Sequence, residues 1–110
     1  MIAFPDIISS SIAAEDWEPF EVGEVHMLRD DGDGKLSAGF WRATPEQAQG
    51  STKVPCHQNE IVYIIHGHLT VETSGGEIHE LKAGSCASFL KGSVNTWTVN
   101  EPTLEFFVYS

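Results

Sequence analysis

Glu60 begins the run Glu60-Ile61-Val62-Tyr63-Ile64-Ile65-His66-Gly67, which joins one acidic side chain to a hydrophobic strand and ends it at a glycine turn. If alternation turns Glu60 inward, Val62, Ile64 and by extension His66 follow it, while Tyr63 and Ile65 cover the opposite face. A carboxylate on so apolar an inner face needs a partner: a metal, a cation, a hydrogen-bond donor or a substrate proton. The competing reading is a structural carboxylate bonded to backbone or to Asn95. Just upstream stand Cys56 and His57, a thiol and an imidazole of the kind that hold divalent ions. Adjacent residues on an extended chain point opposite ways, so the two do not both face one interior. The alternative there is a buried inert thiol beside a surface imidazole.

Other polar and aromatic residues carry less. His66 and His68 flank Gly67 at a turn, His79 alternates with Ile78 and Leu81, and His26 lies early in a strand; none is assigned a role. Phe40, Trp41 and Trp97 are expected to line or cap the interior, where their faces suit a planar or sugar-like ligand, although core packing explains them equally well. The acidic turn Asp30 to Gly34 is not a calcium loop, because Leu36 and Arg42 stand where that loop requires Gly and Glu. The chain has no Gly-rich phosphate loop, nucleophile elbow or Ser/His/Asp signature.

These residues sit on a β framework. Short runs rich in Val, Ile, Phe, Tyr, Trp and Thr recur between Gly, Asp, Asn and Ser punctuation, the pattern of an all-β sandwich or barrel. Strands are expected over 21–28, 36–43, 60–66, 69–73, 77–81, 85–90, 94–99 and 103–109. Tight turns are expected at 30–34 and 74–76. Residues 1–16 read as an N-terminal arm and 17–110 as one domain, with no repeat or linker between. The strand after Glu60 is apolar on both faces and should be covered on both, by a second sheet, the arm or another subunit, so a homodimer is expected.

Composition narrows the partners. Six basic residues against 16 acidic ones give a net charge of −10, which repels a nucleic-acid backbone. No segment approaches the length of a membrane span. The leading Met1 to Asp6 lacks the basic flank and apolar run of an export signal, so a cytoplasmic protein is expected, with Cys56 and Cys86 both reduced.

From Trp17 to Tyr109 the sequence resembles a small single-domain cupin, of the ureidoglycine aminohydrolase and ethanolamine-utilization type. The resemblance is carried by Gly39-Phe40-Trp41-Arg42-Ala43-Thr44-Pro45, Asn59-Glu60 to His66-Gly67, Gly75-Gly76, Ala83-Gly84, Gly92 and Thr96-Trp97-Thr98-Val99-Asn100-Glu101. It implies an RmlC-like jelly-roll barrel, often dimeric, with a pocket at its open mouth. The His-x-His pair usual ahead of the motif glutamate falls on Val54 and Cys56, or on Lys53 and Pro55 in the other register, and the third histidine position is Asn95. Ser85 and Leu90 replace the usual Asp and Pro of the second motif. Where the subgroup tends to carry a basic residue this chain has Leu104-Glu105-Phe106.

The resulting expectation is a pocket for a small polar metabolite formed by Cys56, Glu60, Asn95, Trp97, Phe40 and Trp41, with Glu60 as catalytic base. Two readings stay open. In one the protein is a hydrolase or isomerase of a small nitrogen-containing or sugar-derived compound, with or without one divalent transition metal on Cys56, Glu60 and Asn95. In the other it is a catalytically inert ligand sensor or assembly module without metal.

Overall fold

A computed structural model describes residues 6–32 and 34–110; Asp33 of the expected 30–34 turn and the leading Met1 to Pro5 lie outside the described residues. The elements run β1 (Glu18–Pro19), β2 (Glu24–Asp30), β3 (Ser37–Ala43), α1 (Pro45–Ala48), β4 (Ser51–Pro55), β5 (Glu60–Thr73), β6 (Ile78–Lys82), β7 (Cys86–Phe89) and β8 (Val94–Tyr109). All ladders are antiparallel.

The four strands expected over 60–66, 69–73, 94–99 and 103–109 are two continuous strands that pair along nearly their whole length, from Glu60 opposite Tyr109 to Thr73 opposite Asn95. Both bend midway, where the register shifts between Ile64 and Leu69. Each therefore belongs to two sheets. One runs β1-β2-β3, then the second half of β8, the first half of β5, and β7; the other runs β4, the first half of β8, the second half of β5, and β6. The two inner faces meet in the jelly-roll core, where Trp97 stacks on Phe89 and meets Trp41 edge-on. Val62, Ile64, Leu69, Val71, Leu81, Val99 and Phe107 fill the space around them.

Gly67 makes the bend possible. It sits at φ 104°, and a Cβ there would stand 2.4 Å from Thr103 Oγ1 and 2.6 Å from the Pro102 carbonyl. Thr103 in turn is buried and ties the corner: its hydroxyl accepts from the His68 amide at 3.1 Å and donates to the Glu101 carbonyl at 2.9 Å. The register shift also corrects the expectation for His66. Alternation holds through Val62 and Ile64, both fully buried, and then breaks, so His66 is exposed beside Arg42 and Leu104.

Three short elements, β1, β4 and α1, have no counterpart in the sequence expectations. β4 carries Lys53 and Pro55 and pairs only with β8, as an edge strand that tolerates both. α1 is a single turn closed by a capping box in which Thr44 and Gln47 satisfy each other's backbone amides. Part of the outer face of the first sheet is covered by the segment before β1. There the buried His26 is bonded to Ser10 Oγ at 2.5 Å and to the Asp16 carbonyl at 3.2 Å, and the Arg42 guanidinium lies 3.9 Å from the centre of the Trp17 ring. Farther along that face Ile61 and Tyr63 remain 57% and 46% exposed.

Gly67→Ala is expected to remove more than about 4 kcal/mol, by combining a forbidden φ with backbone overlap. Thr103→Val, which leaves the His68 amide unpaired, should cost about 1 to 3 kcal/mol. Urea unfolding curves of both variants check the corner.

Candidate functional site

The site is built from the register at the open end of the first sheet. Glu60 pairs with Tyr109, Val62 with Phe107 and Ile64 with Glu105, while β3 places Trp41 opposite Glu105. Period-two alternation therefore puts Glu60, Glu105, Phe107, Tyr109 and Trp41 on one inner face. The first half of β8 contributes Trp97 from the facing sheet. Cys56, in the turn after β4, closes the ring, with its amide donating to Ser93 O and its carbonyl accepting from Gly92 N. Together they line a cavity of about 440 Å³, whose mouth carries Phe20, Glu21, Lys53 and His57.

Four of the six residues expected in the pocket line it: Cys56, Glu60, Trp41 and Trp97. Phe40 does not. It alternates with Trp41 and lies on the outer face, between His26 and Phe106 at centroid distances of 6.4 and 5.4 Å. Asn95 is buried but is not part of the wall; its amide donates to Ser93 Oγ at 3.2 Å. Cys56 is buried and His57 exposed, as adjacent extended residues should be, and Cys56 and Cys86 are free thiols.

Glu105 and Tyr109 were not anticipated as pocket residues. The signal for Glu105 was present, as an acid inside the apolar run Leu104-Glu105-Phe106-Phe107, in phase with an inward alternation. It stood out only as a departure from a basic residue.

The two carboxyl groups behave differently. Glu60, 6% exposed, has its carboxyl pushed up to about 7, chiefly by burial and against the opposing effect of the Tyr109 hydroxyl, which donates to it. Glu105, 3% exposed, is raised well above the usual carboxylate range by burial and then by the charge of Glu60. Burial raises the Tyr109 phenol too, and the nearby carboxylates reinforce the shift. Glu60 is thus the group that exchanges a proton near neutrality, while Glu105 holds its own as a neutral acid. Two polar atoms of the cavity wall are buried with no hydrogen-bond partner, Glu105 Oε2 and Trp97 Nε1. By contrast, the Trp41 indole donates to the Val22 carbonyl at 2.8 Å.

The donor set does not fit a metal centre. Asn95 lies outside the cavity wall, and among the described residues no three His, Cys, Asp or Glu side chains are grouped to hold an ion. The Cys56, Glu60 and Asn95 ligand set expected from the sequence is not assembled.

Residues 30–105, more than half of the chain, match the family model described as the EutQ-like cupin domain. The chain belongs to the EutQ-like cupin family. The cupin fold is also found in the solved structures it resembles, among them the Clostridium difficile EutQ protein, with 18% identity over 78% of this chain and 65% of that one, at a TM-score of 0.65. An ectoine synthase from P. lautus gives 17% identity, 94% and 78% coverage and a TM-score of 0.76. The Schizosaccharomyces pombe Cnp3 cupin domain gives 12%, 93%, 72% and 0.75. This cupin spans about two thirds of the length of the EutQ protein. No curated protein sequence matches the chain.

Because Glu60 titrates near 4.5 when unfolded and about 7 when folded, its contribution to stability is complete below 4.5 and is lost as the pH rises through 7. That gap corresponds to roughly 3 kcal/mol. Glu60→Gln is therefore expected to flatten the decline in stability between pH 5 and 8 relative to the parent. Urea unfolding of both proteins at half-unit pH steps measures the difference.

Proposed function

We propose that this cupin binds a small polar metabolite in the cavity between its sheets and that Glu60 is the proton-transfer group there. One observation carries the reading: a carboxyl poised at about 7 opens onto a pocket of metabolite size and is held by a phenol. An acid or base is most effective when its affinity for the proton matches the working pH. The reaction class suggested by the cupin resemblance is hydrolysis or isomerisation of a small nitrogen-containing or sugar-derived compound. The inert alternative is a ligand sensor or assembly module, in which the same cavity binds its ligand without turnover. No helix among the described residues is long and apolar enough to cross a membrane, and a cytoplasmic location belongs to the same proposal.

The two readings differ at one atom pair. Glu60→Gln keeps the hydrogen-bonding shape but cannot move a proton, so turnover of a ligand found by thermal-shift screening should fall by about 10² or more while binding changes less than about ten-fold. Unchanged turnover in that variant overturns the role of Glu60. Binding without turnover in the parent protein selects the sensor.

A homodimer is part of the proposal, supported by the exposed Ile61 and Tyr63 on a face that the N-terminal segment covers only in part. Tyr63→Glu places a charge on that face without touching the cavity. The expected outcome is a parent of twice the chain mass and a monomeric variant by light scattering; a parent of single-chain mass rejects the dimer.

A further inference from the structure

The interior of the cavity has one kind of charge. Glu60 and Glu105 project into it from neighbouring strands, and the basic groups in its lining, Lys53 and His57, are exposed at the mouth. An anion entering would meet two carboxyl groups and no buried cation. A neutral guest could accept from the Trp97 N–H but would not compensate ionised Glu60. The wall is otherwise aromatic: Trp41, Trp97, Phe107 and Tyr109 line it, and Phe20 stands at the entrance. Aromatic faces together with a desolvated carboxylate are the surroundings in which an organic cation is held best.

We propose that the cavity takes a small organic cation, with Glu105 as its counter-ion, the Trp41 and Trp97 rings as its walls, and the Trp97 N–H donating to an acceptor atom beside its charged nitrogen. The inference rests on the cavity being the binding site and adds the chemical class of the guest. It is independent of the two carboxyl groups merely lying close, because Trp97 Nε1 is a second buried polar atom with no partner, and it points to a guest that offers an acceptor. A buried N–H and a buried carboxyl oxygen left unpaired in the same wall each cost free energy that a bifunctional guest recovers. When such a guest binds, Glu105 releases to solvent the proton it retains in the empty site, and the N–H of the guest takes that proton's place. The grouping of donors argues against a bare metal ion as the occupant, since no three acidic, thiol or imidazole side chains converge among the described residues.

The test is isothermal titration of the full chain at pH 7.5 with n-butylguanidinium, its neutral isostere n-butylurea, and butyrate, at matched ionic strength. The expected result is binding of the guanidinium at least about ten-fold tighter than the urea, with no detectable butyrate binding. In Glu105→Gln that preference should fall to within about two-fold, while Glu46→Gln, an acid removed from the exposed turn α1, should leave it unchanged. The Glu46 variant separates a local counter-ion from the general pull of a chain of net charge −10. Equal or tighter binding of the urea, a preference that survives Glu105→Gln, or silence from all three probes up to about 10 mM overturns the cation assignment. The isostere comparison in the parent protein stands even if Glu105→Gln fails to fold. If the urea or butyrate binds and Trp97→Phe weakens it, the cavity keeps its role as a small-molecule site and only the charge class is lost. A thermal-shift panel of neutral and anionic metabolites without a single hit would remove the binding site itself.

Discussion

The pairing of β5 with β8 is the constraint on which the rest of the structure depends. Two strands of 14 and 16 residues stay paired while crossing from one sheet to the other, through a shift of register between Ile64 and Leu69, and every other strand except β1 is hydrogen-bonded to one of them or to β3 beside them. A pair that long cannot remain flat, because strand twist accumulates along it. The strain is released at one corner, where a residue without a side chain lies under a threonine whose hydroxyl replaces the interrupted ladder bonds. Once the corner is set, the two halves of each strand face one another across the core. The ends of β5 and β8 that meet, Glu60 and Tyr109, then lie at the rim of the cavity.

The cavity's chemistry follows from the same register. Inward positions of a barrel are expected to be apolar, and along β5 and β8 they are, with Glu60 and Glu105 the acidic exceptions on that face. Burying two carboxyl groups within reach of each other's charge keeps both from ionising together, and the outer one, held by Tyr109, loses its proton first. Where the cupin resemblance leads one to expect histidines, this wall holds two buried acids, one of them bonded to Tyr109, and an indole without a partner. The site therefore costs folding free energy at neutral pH, because its burial opposes the ionisation of Glu60.

Much of this was legible in the sequence, and the limits were physical. The fold could be read because Gly67, Gly84 and Gly92 punctuate apolar runs at jelly-roll spacing, and the inward direction of Glu60 follows from strand alternation alone. Merging four expected strands into two was not legible, since a glycine inside an apolar run signals a turn and a bend equally well. His66 was misdirected by the same ambiguity: alternation cannot be carried through a register shift. Phe40 and Trp41 show the cost of treating neighbours as one unit, because a strand sends them to opposite faces. Asn95 came from matching positions to a family pattern, whereas its buried amide is turned to Ser93 and lies outside the wall. Glu105 was missed because its meaning depends on Glu60, 45 positions away in the chain and brought near only by the antiparallel return of β8.

That return has a consequence for how the molecule comes into being. β8 follows in sequence all the strands it pairs with, and among the described residues it alone fills one edge each of β3, β4 and β5. A chain emerging from the ribosome can close the local hairpins β2-β3 and β5-β6, but both sheets wait for residues 94–109. Contacts this distant in sequence make for slow assembly, with apolar edges open in the interval. Through that interval the excess of acidic residues, a net charge of −10, sets copies of the chain against one another.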